Sequence, residues 1–319
     1  MPAAAARRID PLLALAAAGL IAASAAALAA EAWWGFELLA HFRVQYLALQ
    51  APLVLALLAR RRLAWCAALG ASAVPNALPV LPYLVHDAPA AEAARAADAP
   101  LELLEVNVQA GNRSYARLRE IVMAESPDVL LVVELTQAWA EALRPLFRLY
   151  PHRVLRPAGG AFGVGLLSRY PLEAAHAFEL GSTHAVDARV LSPQGAFRLI
   201  GVHLRPPTAP GWAAERERQL DALAALRARI HEPLVVAGDF NLTPYSPYFA
   251  DWTAETGLRD ARRAFGLGLS WPTFLPILGI PIDHCVVSKE VTVVGFKRLP
   301  AFGSDHYPIL IELQTGSSA

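Results

Sequence analysis

The chain has 319 residues and no formal net charge, with 55% hydrophobic and 18% charged residues. That balance excludes a disordered chain, which needs low hydrophobicity and high charge, and two cysteines exclude a disulfide-built scaffold. The lack of net positive charge argues against a protein held to nucleic acid by bulk electrostatics.

The apolar excess lies at the N-terminus. Residues 11–30 carry no charge, and about 20 such residues cross a hydrocarbon core. A second run, 44–59, contains Gln45 and Gln50; a third, 63–85, contains Pro75, Pro79 and Pro82, which predict a kinked helix or an extended exit in its second half. Arg7 and Arg8 precede the first run, and Arg60, Arg61 and Arg62 separate the second from the third. The positive-inside rule places both clusters in the cytoplasm, so three spans send the rest of the chain outside. Trp33 and Trp34 suit an interfacial belt. The alternative is a leader cleaved near Ala29-Ala30-Glu31-Ala32, with the two later runs still spanning. The reading is therefore a membrane anchor over 1–85, a linker rich in Ala, Pro and acid over 86–100, and a separate domain over 101–319. This is a multi-pass arrangement in a cell inner membrane with the domain on the periplasmic side.

The domain holds 21 basic and 22 acidic residues, so it is within one charge of neutral on its own account. Strands are expected at 101–108, 128–135, 162–167, 185–191 and 196–203, the last two joined through the turn Ser192-Pro193-Gln194-Gly195. Helices are expected at 115–124, capped by Ser114, at 136–146, opened by Thr136, and at 213–230, where Leu220, Leu223, Leu226 and Ile230 share a face. Further strands follow at 233–238, 284–288, 291–297 and 309–313. Strands outnumber helices and mix hairpins with crossovers, which favours an α/β sandwich over a simple doubly wound sheet.

Polar residues cluster at the ends of apolar strands, where α/β folds place function. They are Asn107, Glu134, His203, Asp239 with Asn241, Asp283 with His284, and Asp305 with His306. Any one alone is more often a turn residue or helix cap. Together they offer oxygen ligands suited to a hard divalent ion, Mg²⁺ or Mn²⁺, and imidazoles beside carboxylates for proton transfer. Cys66 lies in an apolar run and Cys285 in a strand, so no disulfide is expected.

These segments, in this order, resemble the endonuclease/exonuclease/phosphatase superfamily, the deoxyribonuclease-I-like proteins, in a bacterial-type form with an N-terminal membrane anchor. The resemblance rests on EVNV, PDVLLVVEL, the Ser168-Arg169-Tyr170-Pro171 run, GVHL, GDFN, PIDH and GSDH, spread over 103–312. It implies a four-layer α/β sandwich of two packed mixed β-sheets flanked by helices. It implies Glu134 as principal metal ligand with Asn107 and Asp305 near the same ion, and Asp239 and Asn241 positioning the attacking water. It further implies His203 as a phosphate contact and His306 as a second catalytic histidine paired with Asp283. Whether Asp239 or His306 takes the water's proton stays open. Gln109 stands where some members carry an acid, which favours one ion over two.

The activity implied is hydrolysis of phosphodiester bonds in nucleic acid or a phospholipid headgroup, with no obligate protein partner. The alternative is an inactive phosphate- or partner-binding domain on an anchor. Arg169 is a candidate substrate contact, and Arg153, Arg156 and Arg205 are candidates to line the cleft. The uncharged stretch 265–282 is either a core-packed loop or an exposed apolar rim beside the site.

Overall fold

The structure, a computed structural model, describes residues 10–85, 99–263 and 265–315. Most of the expected linker, residues 86–98, lies outside the described residues, as do Arg7 and Arg8. The chain divides into two compact units, Met1–Pro82 with Tyr245–Pro247, and the remainder.

The first unit is helical: α1 (Pro11–Leu28), α2 (Trp34–Ala40), α3 (Arg43–Ala59) and α4 (Leu63–Val80). Asp10 opens α1 by accepting the Leu12 N–H at 3.0 Å, with Pro11 in the first turn, where its missing N–H costs nothing. Among the described residues two helices, Pro11–Leu28 and Leu63–Tyr83, are long and apolar enough to cross a membrane; the count rises to three if α2 and α3, bent by 60°, form one span. Leu12, Leu15, Leu55, Leu63 and Leu78 point outward from the unit. The extended exit allowed for the third run does not form: α4 stays helical through Pro75 and Pro79. Pro79 has no N–H for the Pro75 carbonyl, and the Arg43 guanidinium donates to that carbonyl instead, at 2.9 Å. Arg43 also reaches the Ala27 carbonyl in the last turn of α1, so one side chain ties three helices.

The second unit contains, in chain order, β1 (Leu101–Asn107), α5 (Tyr115–Glu125), β2 (Val129–Val133), α6 (Gln137–Ala142), β3 (His152–Arg156), β4 (Val164–Ser168), β5 (Leu172–Leu180), β6 (Thr183–Ser192), β7 (Gly195–His203), α7 (Pro210–Arg227), β8 (Leu234–Asp239), α8 (Pro247–Thr256), β9 (Arg259–Asp260), β10 (Asp283–Val287), β11 (Val291–Arg298) and β12 (Ile309–Thr315). Two six-stranded sheets form, ordered β11-β12-β1-β2-β4-β3 and β5-β6-β7-β8-β10-β9. Each is antiparallel except for one parallel pair, β1–β2 and β7–β8.

Strand alternation explains the layers. Leu103, Leu131 and Leu166 of the first sheet pack on Val186, Leu199 and Val235 of the second. Their neighbours Leu104, Leu130 and Leu167 face the other way, onto Leu118 of α5 and Trp139 of α6. On the far side Ile200, Val202 and Val236 meet Leu220 and Leu223 of α7 and Trp252 of α8. The result is the four-layer sandwich expected from the sequence. Both cysteines are free.

Three local expectations differ. Ser114 precedes α5 without a side-chain cap, whereas Thr136 caps α6 by accepting the Trp139 N–H. The helix expected over 136–146 stops at Ala142 and tightens into a 3₁₀ turn, Arg144–Arg148. Strands β3 and β5 are edge strands that carry charges and little buried surface, so hydrophobic periodicity does not mark them; ladder pairing with β4 and β6 holds them.

Candidate active site

Both parallel pairs end at functional residues. In β1–β2, Asn107 is in register with Val133, so Asn107 and Glu134 leave adjacent strands side by side. In β7–β8, His203 is in register with Asp239, and antiparallel β10 places Asp283 on Asp239's other side. Three neighbouring strands thus present His203, Asp239 and Asp283 in one row. Gly238 sits before Asp239 at φ +136°, and a side chain there would run into the Val202 carbonyl.

Asn107 links the sheets. Its Nδ2 donates to Glu134 Oε1 at 3.2 Å and to Asp239 Oδ2 at 3.1 Å, and its oxygen accepts the Gln109 N–H at 2.9 Å. In this orientation Asn107 offers donors to the carboxylates. Asp239 Oδ2 also lies 3.5 Å from His203 Nε2 and 3.7 Å from His306 Nε2, so one oxygen is the point of convergence. Its partner Oδ1 accepts the Asn241 backbone N–H at 2.9 Å. The Asn241 amide itself is turned to the Leu204 carbonyl. His306 Nδ1 meets Asp283 Oδ2 at 2.8 Å. Asp239, Asp283 and His306 place one ligand-type atom each within 4.8 Å of one another. All three are buried.

The electrostatics follow from that burial. Burial alone would lower the His306 imidazolium, yet the carboxylates of Asp283 and Asp239 overcome it and raise the group to about 10. Asp239 is raised to about 8, first by burial and then by the Asp283 charge. Burial and the neighbouring His306 lower His203 to about 4. His203 Nδ1 lies 2.9 Å from the Ala161 carbonyl, so the neutral ring carries its proton there and turns a bare Nε2 toward Asp239.

Glu134 accepts the Ala110 N–H at 2.8 Å. Burial raises its carboxyl, against the pull of the Ala110 and Asn107 hydrogen bonds. Asp305 Oδ2 accepts from Trp271 Nε1 at 3.1 Å, while its buried Oδ1 has no hydrogen-bond partner among the described residues. An orphaned carboxylate oxygen near the Glu134 carboxylate is a donor set that fits a hard divalent cation. Gln109, Glu134 and Asn241 are three of the six described non-glycine residues with left-handed φ, so backbone strain gathers at this rim.

Residues that sequence reasoning did not assign complete the support. Gln109 Oε1 accepts the Asp305 N–H at 3.2 Å, and Ser304 Oγ donates to the Asn107 carbonyl at 2.8 Å. Glu105, two residues before Asn107 on β1, is fully buried, and neither oxygen has a hydrogen-bond partner among the described residues; burial, then Asp283 and Asp239, push its carboxyl well above the usual range. Beneath the row, Arg262 is completely buried. It contacts Asp260 at 3.4 Å, His284 Nδ1 at 3.3 Å and the Asp283 carbonyl. His284 Nε2 lies 2.9 Å from the Leu242 carbonyl, which connects Arg262 to the loop after Asp239.

Two candidates fall outside the cluster. Arg169 contacts Ser126 and Asp128 at the opposite end of β2 from Glu134, roughly 17 Å away along the strand. Its side chain anchors the Ser168–Pro171 turn, and Arg169→Ala is expected to leave KM for a small phosphodiester within twofold; a tenfold rise would restore it to the site. Arg205 lies at the margin: its guanidinium stacks between Phe162 and Trp212 and pairs with Glu215, and Phe162 in turn packs on His203.

Comparison with known proteins agrees with this architecture. An endonuclease/exonuclease/phosphatase from Beutenbergia cavernae superposes with TM-score 0.56 at 20% identity, covering 69% of this chain and 73% of that one. D. rerio TDP2 complexed with single strand DNA product gives TM-score 0.57 at 19% identity, covering 68% and 100%. The human Nocturnin catalytic domain with bound sulfate anion gives TM-score 0.56 at 18% identity, covering 67% and 94%. At these identities the likeness concerns the fold alone. No curated protein matches the chain. The sequence profile of the Endonuclease/Exonuclease/phosphatase family, whose members hydrolyse phosphoesters, matches residues 104–306, 203 of the 319 residues, and the chain belongs to that family.

Proposed function

We propose that this protein is a membrane-anchored, divalent-metal-dependent phosphodiesterase with its catalytic domain on the periplasmic side of the inner membrane. The observation that carries the reading is the chain Asp283–His306–Asp239, joined through Asn107 to Glu134.

Glu134 and Asp305 would hold one Mg²⁺ or Mn²⁺, with Asn107 close by in the orienting role its amide hydrogens suit. When bound, the ion supplies Lewis-acid stabilisation of negative charge on phosphoryl oxygens. The residues divide the remaining work. His306, cationic and held by Asp283, cannot accept a proton at neutral pH; it donates a hydrogen bond to a phosphoryl oxygen and stabilises the charge that develops there. Asp239, poised near neutrality and oriented by the Asn241 N–H, takes the proton of the attacking water at Oδ2. His203 contacts the phosphate through Nε2 once the substrate's negative charge raises the ring's proton affinity and a second proton is taken from bulk water.

The test uses the full chain in detergent with Mg²⁺, on bis-p-nitrophenyl phosphate, plasmid DNA and a phospholipid. Turnover of the small diester is expected with Mg²⁺, lost in EDTA and lost in Glu134→Ala. Activity that survives EDTA, or that Glu134→Ala leaves intact, overturns the reading. A C-terminal alkaline-phosphatase fusion is expected to be active in cells, and an inactive fusion would reverse the topology.

A further inference from the structure

The stretch 265–282 is packed at its ends and bare at its tip. Ile280 and Ile282 are buried, but Phe274 is 74% exposed and Ile277 is 79% exposed, with Leu275 and Leu278 beside them at 42% and 43%. Four large apolar side chains within five residues, with no charge between Arg263 and Asp283, form a patch that a water-facing loop has no reason to carry.

The base of this loop is hydrogen-bonded to the segment that carries Asp305. Trp271 and Ile280 form a bridge, with the Ile280 N–H donating to the Trp271 carbonyl at 2.6 Å. The Thr273 N–H donates to the Asp305 carbonyl at 2.9 Å, its hydroxyl to the Ser304 carbonyl at 2.7 Å, and Trp271 Nε1 to the Asp305 carboxylate. Trp271 lies edge-on to Phe274. Beside the base, the exposed Arg298 donates to the Leu269 carbonyl and lies 4.4 Å over the Tyr307 ring. An apolar tip with Trp, Tyr and Arg at its base has the composition of a segment seated at a lipid–water boundary, with apolar groups in the acyl region and amphipathic groups among the headgroups.

A bilayer is within reach because the same chain carries helices long and apolar enough to span one. The last of these ends at Tyr83 and β1 begins at Leu101. Those 17 intervening residues permit a separation of up to about 60 Å, more than the diameter of roughly 40 Å expected for a domain of this size. The length of that connection is therefore no bar to the loop meeting a membrane surface.

We propose that residues 274–278 dock into the bilayer surface and seat the active site at headgroup level. The phosphoester taken there is one borne on a lipid, an assignment that rests on the phosphodiesterase reading above. Docking itself does not.

The experiment separates the two. The full chain, in a Cys66→Ser background that leaves only the buried Cys285, is reconstituted in phosphatidylcholine nanodiscs with a bimane label at Ile277→Cys or, as control, at exposed Met123→Cys on α5. Dibrominated phosphatidylcholine is expected to quench the label at 277 at least twofold and the label at 123 by less than a fifth. Equal quenching at both positions, or none at 277, overturns docking. In parallel, Phe274→Ser/Ile277→Ser is expected to lower turnover of a vesicle-borne phosphodiester lipid at least tenfold while hydrolysis of bis-p-nitrophenyl phosphate stays within twofold. An equal loss on both substrates overturns the lipid assignment. If the unsubstituted chain hydrolyses neither ester while 277 is quenched, the phosphodiesterase reading fails and docking stands.

Discussion

Asp239→Asn is expected to lower kcat by about 10²–10⁴-fold, the range for loss of a general base, with KM little changed. The substitution is isosteric and keeps an acceptor for the Asn241 N–H, so the fold should persist. The pH profile gives the sharper signature. Asp239 must be ionised and His306 protonated, so the rate of the unsubstituted protein should rise through a limb at or below about 8, because a cation held nearby lowers the carboxyl further, and fall near about 10. The variant should lose the lower limb alone.

Stability should move the other way. A carboxyl whose folded pKa is raised makes the native state bind more protons than the unfolded one, so stability falls as pH rises from the unfolded value near 4 through about 8. Asn carries no such penalty, and Asp239→Asn should therefore melt higher than the unsubstituted protein at pH 9 and nearly level with it at pH 4. A variant with threefold or smaller loss of kcat and an unchanged pH profile would remove Asp239 from the base role.

Arg262→Ala is expected to destabilise the protein by about 3–5 kcal/mol, the cost of removing one partner from a buried ion pair. Arg262 is fully buried, and its loss would leave Asp260 without its cation, His284 Nδ1 without its donor and the Asp283 carbonyl without a partner. Burial, the larger of the two causes that hold His284 neutral, persists in the variant, so the ring is a poor replacement for the missing cation. The urea midpoint of the full chain in detergent measures the loss; Arg262→Lys should recover part of it, since a point charge satisfies Asp260 but not the forked contacts. A loss below about 1 kcal/mol would show that Asp260 is relieved by other means.

The parts of this molecule legible in its sequence share one property: they are local. Continuous apolar strands ending in Asn107, Glu134, His203 and Asp239 reveal themselves by composition, and order plus motif is enough to assemble them into one site. The layers follow from alternation along each strand. What escaped is set by partners far away in the chain. Nothing in the sequence around Arg262 announces that its side chain will lie against Asp283 and His284. Gln109, read as a departure from an acidic position, gains its role only when the Asp305 N–H arrives from 196 residues away. Arg169 shows the converse: its neighbours in sequence resemble a site motif, but the strand between Asp128 and Glu134 separates it from the cluster. The stretch 265–282 reads as one apolar run, and only packing divides it into a buried base and an exposed tip.

Asn107 and Glu134 come from one sheet, and His203, Asp239 and Asp283 from the other, while Asp305 and His306 enter on the loop before β12. Neither sheet alone owns a sufficient set. An expanded state that kept its secondary structure but let the two sheets part would still look folded to far-ultraviolet light and yet be chemically inert. Phosphoester cleavage by this chain would therefore report on the seal between its two halves, and would vanish at the first loosening of the core, before any helix or strand melts.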